Sequence, residues 1–218
     1  MSDHLANLKA KTAYLAARDD VVLPQNVIAD WNPGGLREPL DDERLTVQDR
    51  LLGVLGDRHL GQLTFYAPSD RYPLNPDDSE TSWQGEHDWI CIGESEIATT
   101  TALLLHAQTG ETVLYDSDAW DFEFKDNFII VKESLAAFVD EVALGPEYRR
   151  IYYQNWAELW GLFETEDLDF PGIYGDPWYH LLREMRADLY GGPPVSRARR
   201  VELLRRIDEY FSDDEDED

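Results

Sequence analysis

Residues Thr99-Thr100-Thr101-Ala102-Leu103-Leu104-Leu105-His106 form an apolar, threonine-rich run that suits a buried β-strand. Gln108-Thr109-Gly110 follows as a turn, and Glu111-Thr112-Val113-Leu114-Tyr115 returns as a second strand. A glycine-containing turn between two β-rich runs predicts a hairpin. Working outward, Trp89-Ile90-Cys91-Ile92 reads as another strand, closed by Gly93, and Gln62 to Tyr66 reads as one more. Between them, Pro68 to Glu80 holds three prolines and several aspartates, the composition of a solvated loop. Beyond the hairpin, Phe122, Phe124, Phe128 and Ile130 share one parity. That fits one strand, or two short ones interrupted at Lys125-Asp126-Asn127.

Helical signals flank this β-rich middle. Asp3 to Ala17 places Leu5, Leu8, Tyr14 and Leu15 among helix formers and predicts a short amphipathic helix. Pro24 and Asn32-Pro33-Gly34-Gly35 mark a loop after Val21–Leu23. Thr46 and Asp49 have capping-box spacing, with Asp in place of the usual Glu or Gln. The apolar face behind them is Val47, Leu51, Leu52, Val54 and Leu55, and Gly56 is a natural stop. Ser134 caps a helix whose Leu135, Phe138, Val139 and Val142 fall at i, i+3, i+4 and i+7, ending at Gly145-Pro146. Three further helices are expected. Tyr148 to Phe163 carries an aromatic face packed on the body, one opens at Asp176-Pro177 with Trp178, Leu181, Leu182 and Met185 inside, and the last spans Ser196 to Phe211.

With 218 residues the chain can bury a core unaided by disulfides or metals. It is 43% hydrophobic and holds 7 Trp, 11 Tyr and 8 Phe, a globular composition. The formal net charge is −26. The last six residues, Asp213 to Asp218, are all acidic; removing them leaves −20, since 45 acidic residues become 39 against 19 basic ones. The acidity therefore belongs to the folded body as well as to the tail. Such an excess argues against direct binding of nucleic acid or an anionic membrane, and favours a basic protein partner. The one dense basic cluster, Arg197, Arg199, Arg200, Arg205 and Arg206, directly precedes the acidic tail, which can neutralise it.

Sequence signals for catalysis are missing. There is no Walker A loop, GxGxxG, GxSxG or HExxH, and the five histidines have no ligand-like spacing. No cofactor, no metal and no enzymatic activity are expected. The single cysteine, Cys91, reads as a small buried hydrophobe. Asp116, Asp118, Asp121 and Glu123 resemble half of a calcium loop, but Trp120 stands at a ligand position and Asp121 where the turn glycine belongs. Neither an apolar leader nor an apolar run of about 20 residues is visible, so a cytoplasmic location is expected.

Three pieces together resemble the SUKH superfamily of bacterial immunity proteins and their relatives. Trp89-Ile90-Cys91-Ile92-Gly93 is similar to that family's strand ending in Ile-Gly. Ala102-Leu103-Leu104-Leu105 through Gly110 to Val113-Leu114-Tyr115-Asp116 is similar to its central hairpin. Glu133-Ser134-Leu135-Ala136-Ala137-Phe138-Val139 is similar to its closing helix. The resemblance covers roughly residues 20 to 144. It implies a non-catalytic α+β domain that binds another protein, in bacterial members typically a polymorphic toxin and often a nuclease.

The expected architecture is α+β: an antiparallel β-meander flanked by N-terminal helices and a capping helix over 1–144. A helical extension over 145–211 packs on it, and an acidic disordered tail follows over 212–218. The resemblance does not locate the binding site, because its matched residues read as structural. Charge and aromatic content do suggest one. A nuclease must be basic to hold phosphates, so an inhibitor presenting carboxylates is drawn to that groove, and aromatic anchors slow its release. Asp116, Asp118, Trp120, Asp121 and Glu123 combine both components, and Asp77, Asp78 and Glu80 with Trp83 form a second such patch. Two other readings share the charge: an acidic DNA mimic that inhibits a DNA-binding protein, and an intracellular adaptor that uses residues 148–185.

Overall fold

The computed structural model describes residues 3–17, 46–73, 88–97, 101–116, 127–153, 173 and 175–191. Within them the chain is a mixed α+β fold whose seven strands form one antiparallel sheet, not closed into a barrel. The first helix, α1, spans His4–Ala16, and Asp3 caps it by accepting the Ala6 N–H. The second, α2, spans Val47–Leu55. Thr46 accepts the Asp49 N–H there, which satisfies one of the free amides every helix start leaves.

Strands β1 (Arg58–Leu60) and β2 (Leu63–Phe65) make a tight hairpin, then β3 (Tyr72–Pro73) adds two residues. β4 (Trp89–Ser95), β5 (Thr101–His106), β6 (Thr112–Asp116) and β7 (Phe128–Lys132) complete the sheet. The strand order is β1-β2-β4-β5-β6-β7, with β3 also on β4. β2 pairs with the Gly93–Ser95 end of β4, and β3 with Ile90 and Cys91. The predicted hairpin is β5–β6, with Leu103 opposite Leu114. At its turn Gly110 has φ +77°, a conformation that favours glycine.

Four local expectations are corrected. Gly93 does not close β4; the strand runs on to Ser95 through a bulge between Cys91 and Gly93. Glycine is needed there because a Cβ would run into the Thr64 carbonyl oxygen on β2. Phe128 and Ile130 do not share a face. The register shifts between Leu114 and Tyr115, which sends Ile130 into the main core and Phe128 to the opposite cluster. Within the loop expected over Pro68–Glu80, Tyr72–Pro73 is a short strand. Residues Pro146–Tyr153 form 3₁₀ turns, so the described start of the helix expected over Tyr148–Phe163 is not α-helical.

After β7, α3 (Leu135–Phe138) starts on Ser134, whose hydroxyl accepts the Ala137 N–H. It widens into a π-turn over Val139–Ala143. The predicted stripe holds, since Leu135, Phe138, Val139 and Val142 are all buried. The 3₁₀ segment follows, and α4 spans Pro177–Tyr190. Its cap, Asp176, and its proline at the first position are the pair the sequence predicts. The loop expected after Val21–Leu23, the distal half of Tyr148–Phe163, the last helix and the tail lie outside the described residues.

The sheet separates two apolar clusters. The larger gathers Ile92, Leu103, Leu105, Leu114 and Ile130 against Leu8, Leu51, Leu55, Phe138, Tyr148 and Trp178 from the helices and the 3₁₀ segment. The smaller holds Trp89, Cys91, Leu104, Val113 and Tyr115. Neighbours such as Cys91 and Ile92 fall in different clusters, the period-two alternation of a sheet buried on both faces. No described helix is long and apolar enough to cross a membrane.

Candidate functional site

Of the nine residues expected to meet a partner, Asp116 alone lies among those described. It ends β6 opposite Thr101, and its exposure is 3%. Its carboxylate is enclosed at the rim of the sheet, where the chain leaves β6. Asp118, Trp120, Asp121 and Glu123, and Asp77, Asp78, Glu80 and Trp83, lie outside the described residues.

Four groups stand out in the polar chemistry of the described residues. The first is centred on Asp140 in the π-turn. Lys11 Nζ donates to Asp140 Oδ1 and to its carbonyl oxygen, both at 2.6 Å. Asn7 Nδ2 donates to Oδ2 at 3.0 Å, and His4 Nδ1 lies 2.8 Å from the same oxygen. His4 Nε2 is 3.2 Å from Glu133 Oε1. Burial pushes the Asp140 carboxyl up, but the bonds from Lys11, His4 and Asn7 outweigh it and hold the group below the ordinary carboxylate range. For His4, burial pushes the imidazole down, yet the bonds to Asp140 and Glu133 prevail and raise it. Sequence reasoning missed this hub, because its partners stand 129 to 136 positions apart. The available signal was a polar stripe: His4, Asn7 and Lys11 recur at i, i+3 and i+7 on α1.

The second group is centred on Asp176. Tyr148 and Tyr152 both donate phenol protons to its Oδ2, at 2.7 and 2.5 Å, while Oδ1 accepts the Trp178 N–H at 2.8 Å. The Tyr148 hydroxyl also accepts the Gln62 N–H at 2.7 Å, tying α4 to the β1–β2 hairpin. Burial and the adjacent carboxylate raise both phenols far above their usual range, so neither supplies a phenolate. The third group joins β7 to the π-turn and the 3₁₀ segment. Lys132 bridges Glu141 and Glu147, both at 2.5 Å, and Arg150 donates to Glu147 at 2.9 Å.

The fourth lies on the surface and has the residue types of a catalytic triad without its geometry. Thr64 Oγ1, His59 Nδ1 and Glu96 Oε1 are mutually within 3.0 Å. A relay needs the nucleophile on one ring nitrogen and the acid on the other. Here the same nitrogen, Nδ1, faces both, and Thr64 donates to Glu96 directly. The arrangement serves cross-strand pairing, since His59 stands opposite Thr64.

Cys91 is fully buried, and burial pushes its thiol up despite contacts with Tyr72 and the Gly93 carbonyl. A thiol so placed is not an activated nucleophile. Beside it, Tyr66 stacks on Tyr72 at 6.5 Å and donates to Glu94 Oε2 at 2.8 Å. Among the described residues no group of three or more His, Cys, Asp or Glu side chains is placed to hold a metal ion.

Comparison with protein-family models, with curated proteins and with solved structures returns no match. The similarity to the SUKH superfamily therefore rests on the strand, hairpin and closing-helix residues alone.

Proposed function

We propose that the chain is a non-catalytic protein-binding module, an immunity protein of the SUKH kind, that captures a basic toxin domain of the nuclease type and blocks it. The observation that carries this reading is the charge of −26, most of which remains when the acidic tail is discounted. A surface of that sign repels phosphates and attracts the cationic groove with which a nuclease holds them. The internal pairing of the four polar groups supports the same reading, since Asp140, Asp176, Lys132 and His59 each engage neighbouring protein groups. In this reading the contact falls to the patch of Asp116, Asp118, Trp120, Asp121 and Glu123, or to the second candidate patch of Asp77, Asp78, Glu80 and Trp83. Carboxylates speed the encounter, and the tryptophans hold the complex once water is excluded.

The test is a tagged pull-down from the source cells, washed at low and at high salt, with mass spectrometry of what remains. One basic protein retained at high salt, whose nuclease activity the purified chain abolishes, is the expected result. A broad set of DNA-binding proteins, all lost at high salt, would replace this reading with that of a DNA mimic.

A further inference from the structure

We infer that α1 is fastened to the body by an imidazolium clamp at His4 and loosens when that ring gives up its proton. The geometry of the ring carries this. Both nitrogens face carboxylate oxygens, Asp140 Oδ2 at 2.8 Å and Glu133 Oε1 at 3.2 Å. An ionised carboxylate only accepts, and a neutral imidazole has a single N–H. In either neutral tautomer one ring nitrogen would turn its lone pair toward a carboxylate. Only the doubly protonated ring donates to both.

The surroundings make this one proton matter. α1 itself brings Lys11 and Asn7 to Asp140, and Asp3 as its cap. The segment around α3 brings Glu133, Asp140 and Glu141, with Lys132 bonded to Glu141. From α4, the Tyr190 phenol lies close enough to feel the Asp140 charge. When His4 loses its proton, the Lys11 ammonium and the neutral Asn7 amide remain from α1 against the buried Asp140 charge. Three of the side chains by which α1 reaches the rest of the chain converge on Asp140; a further one, Tyr14, donates to Asp188 of α4 at 2.6 Å. One deprotonation therefore weakens the hub of the attachment. Because the folded ring titrates above its ordinary 6.5, its contribution is complete below pH 6.5 and is lost as the pH climbs through the folded value.

The experiment is an NMR pH titration of the full chain's histidine rings, with His4 assigned by the signal missing in His4→Gln, combined with amide hydrogen exchange. The expected result is a His4 midpoint above 6.5. Over the same interval, protection of the Leu8, Lys11 and Leu15 amides should fall by up to about tenfold per pH unit, while that of Leu103 and Leu104 in β5 stays constant. In His4→Gln the α1 amides should be less protected and their protection flat with pH. Should that variant not fold, ring-to-backbone correlations assign His4 in the wild type, and its midpoint and the contrast between α1 and β5 decide. A His4 midpoint at or below 6.5, or α1 protection that does not follow the His4 titration, would overturn the inference.

Discussion

Tyr148 donates its phenol proton to Asp176 Oδ2 at 2.7 Å, and both residues are buried. The contact joins the 3₁₀ segment after the sheet to the first turn of α4, and the same phenol oxygen accepts the Gln62 N–H from the β1–β2 hairpin. Three separate stretches of chain thus meet at one hydroxyl. Tyr148→Phe keeps the ring but leaves the Gln62 amide without that acceptor and Asp176 with one donor fewer. The expected cost is about 2 kcal/mol, read from chemical denaturation. Asp176→Ala removes the cap of α4 together with the acceptor for both phenols, and should cost about 3–5 kcal/mol.

Two glycines predict opposite outcomes. Gly93→Ala drives a methyl into the Thr64 carbonyl oxygen and must part β2 from β4. A loss of about 2–4 kcal/mol is expected, with far-ultraviolet circular dichroism reporting the lost strand pairing. Gly53 sits inside α2 with open space where its Cβ would stand. Gly53→Ala should stabilise by about 0.5–1 kcal/mol through helix propensity and a less flexible unfolded chain.

The Lys11–Asp140 pair is buried on both sides. Lys11→Met leaves the Asp140 charge with less compensation and should cost about 3 kcal/mol at neutral pH. The folded Asp140 carboxyl titrates below its ordinary 3.8, so its stabilisation is complete above pH 3.8 and is lost as the pH falls through the folded value. The difference between wild type and Lys11→Met should therefore shrink when denaturation is repeated at about pH 2.5. An unchanged difference there would mean that the variant acts through packing and not through the ion pair.

Local features were legible in the sequence where a single residue type fixes local geometry. Thr46, Ser134 and Asp176-Pro177 each cap the helix they announce, and the Leu103–Leu114 hairpin forms around Gly110. Features set by distant partners were not. Gly93 reads as a strand end because glycine usually interrupts strands, whereas the Thr64 carbonyl, 29 positions away, is what excludes a side chain there. The bulge that separates Phe128 from Ile130 has no local signature, so parity alone misplaced one of them. The Asp140 hub escaped for the same reason, since neither α1 nor the π-turn announces the other. Asp116 reads from the sequence as the start of an acidic patch just past a strand ending at Tyr115, whereas it is the last residue of β6 and buried, which depends on partners the local sequence does not announce.

The central claim is that acidity guides a basic partner in and that aromatic burial retains it. The most direct test is kinetic: association and dissociation rates between the full chain and the captured basic protein, measured at about 0.02 M and about 0.5 M salt. Screening shortens the reach of surface charge from tens of ångströms to a few, so the association rate should fall at least about tenfold while the dissociation rate changes less than about threefold. In Trp120→Ala with Asp121→Lys, dissociation should accelerate at both salt concentrations with circular dichroism unchanged. A dissociation rate that climbs steeply with salt, or a double variant that binds like wild type, would contradict the account.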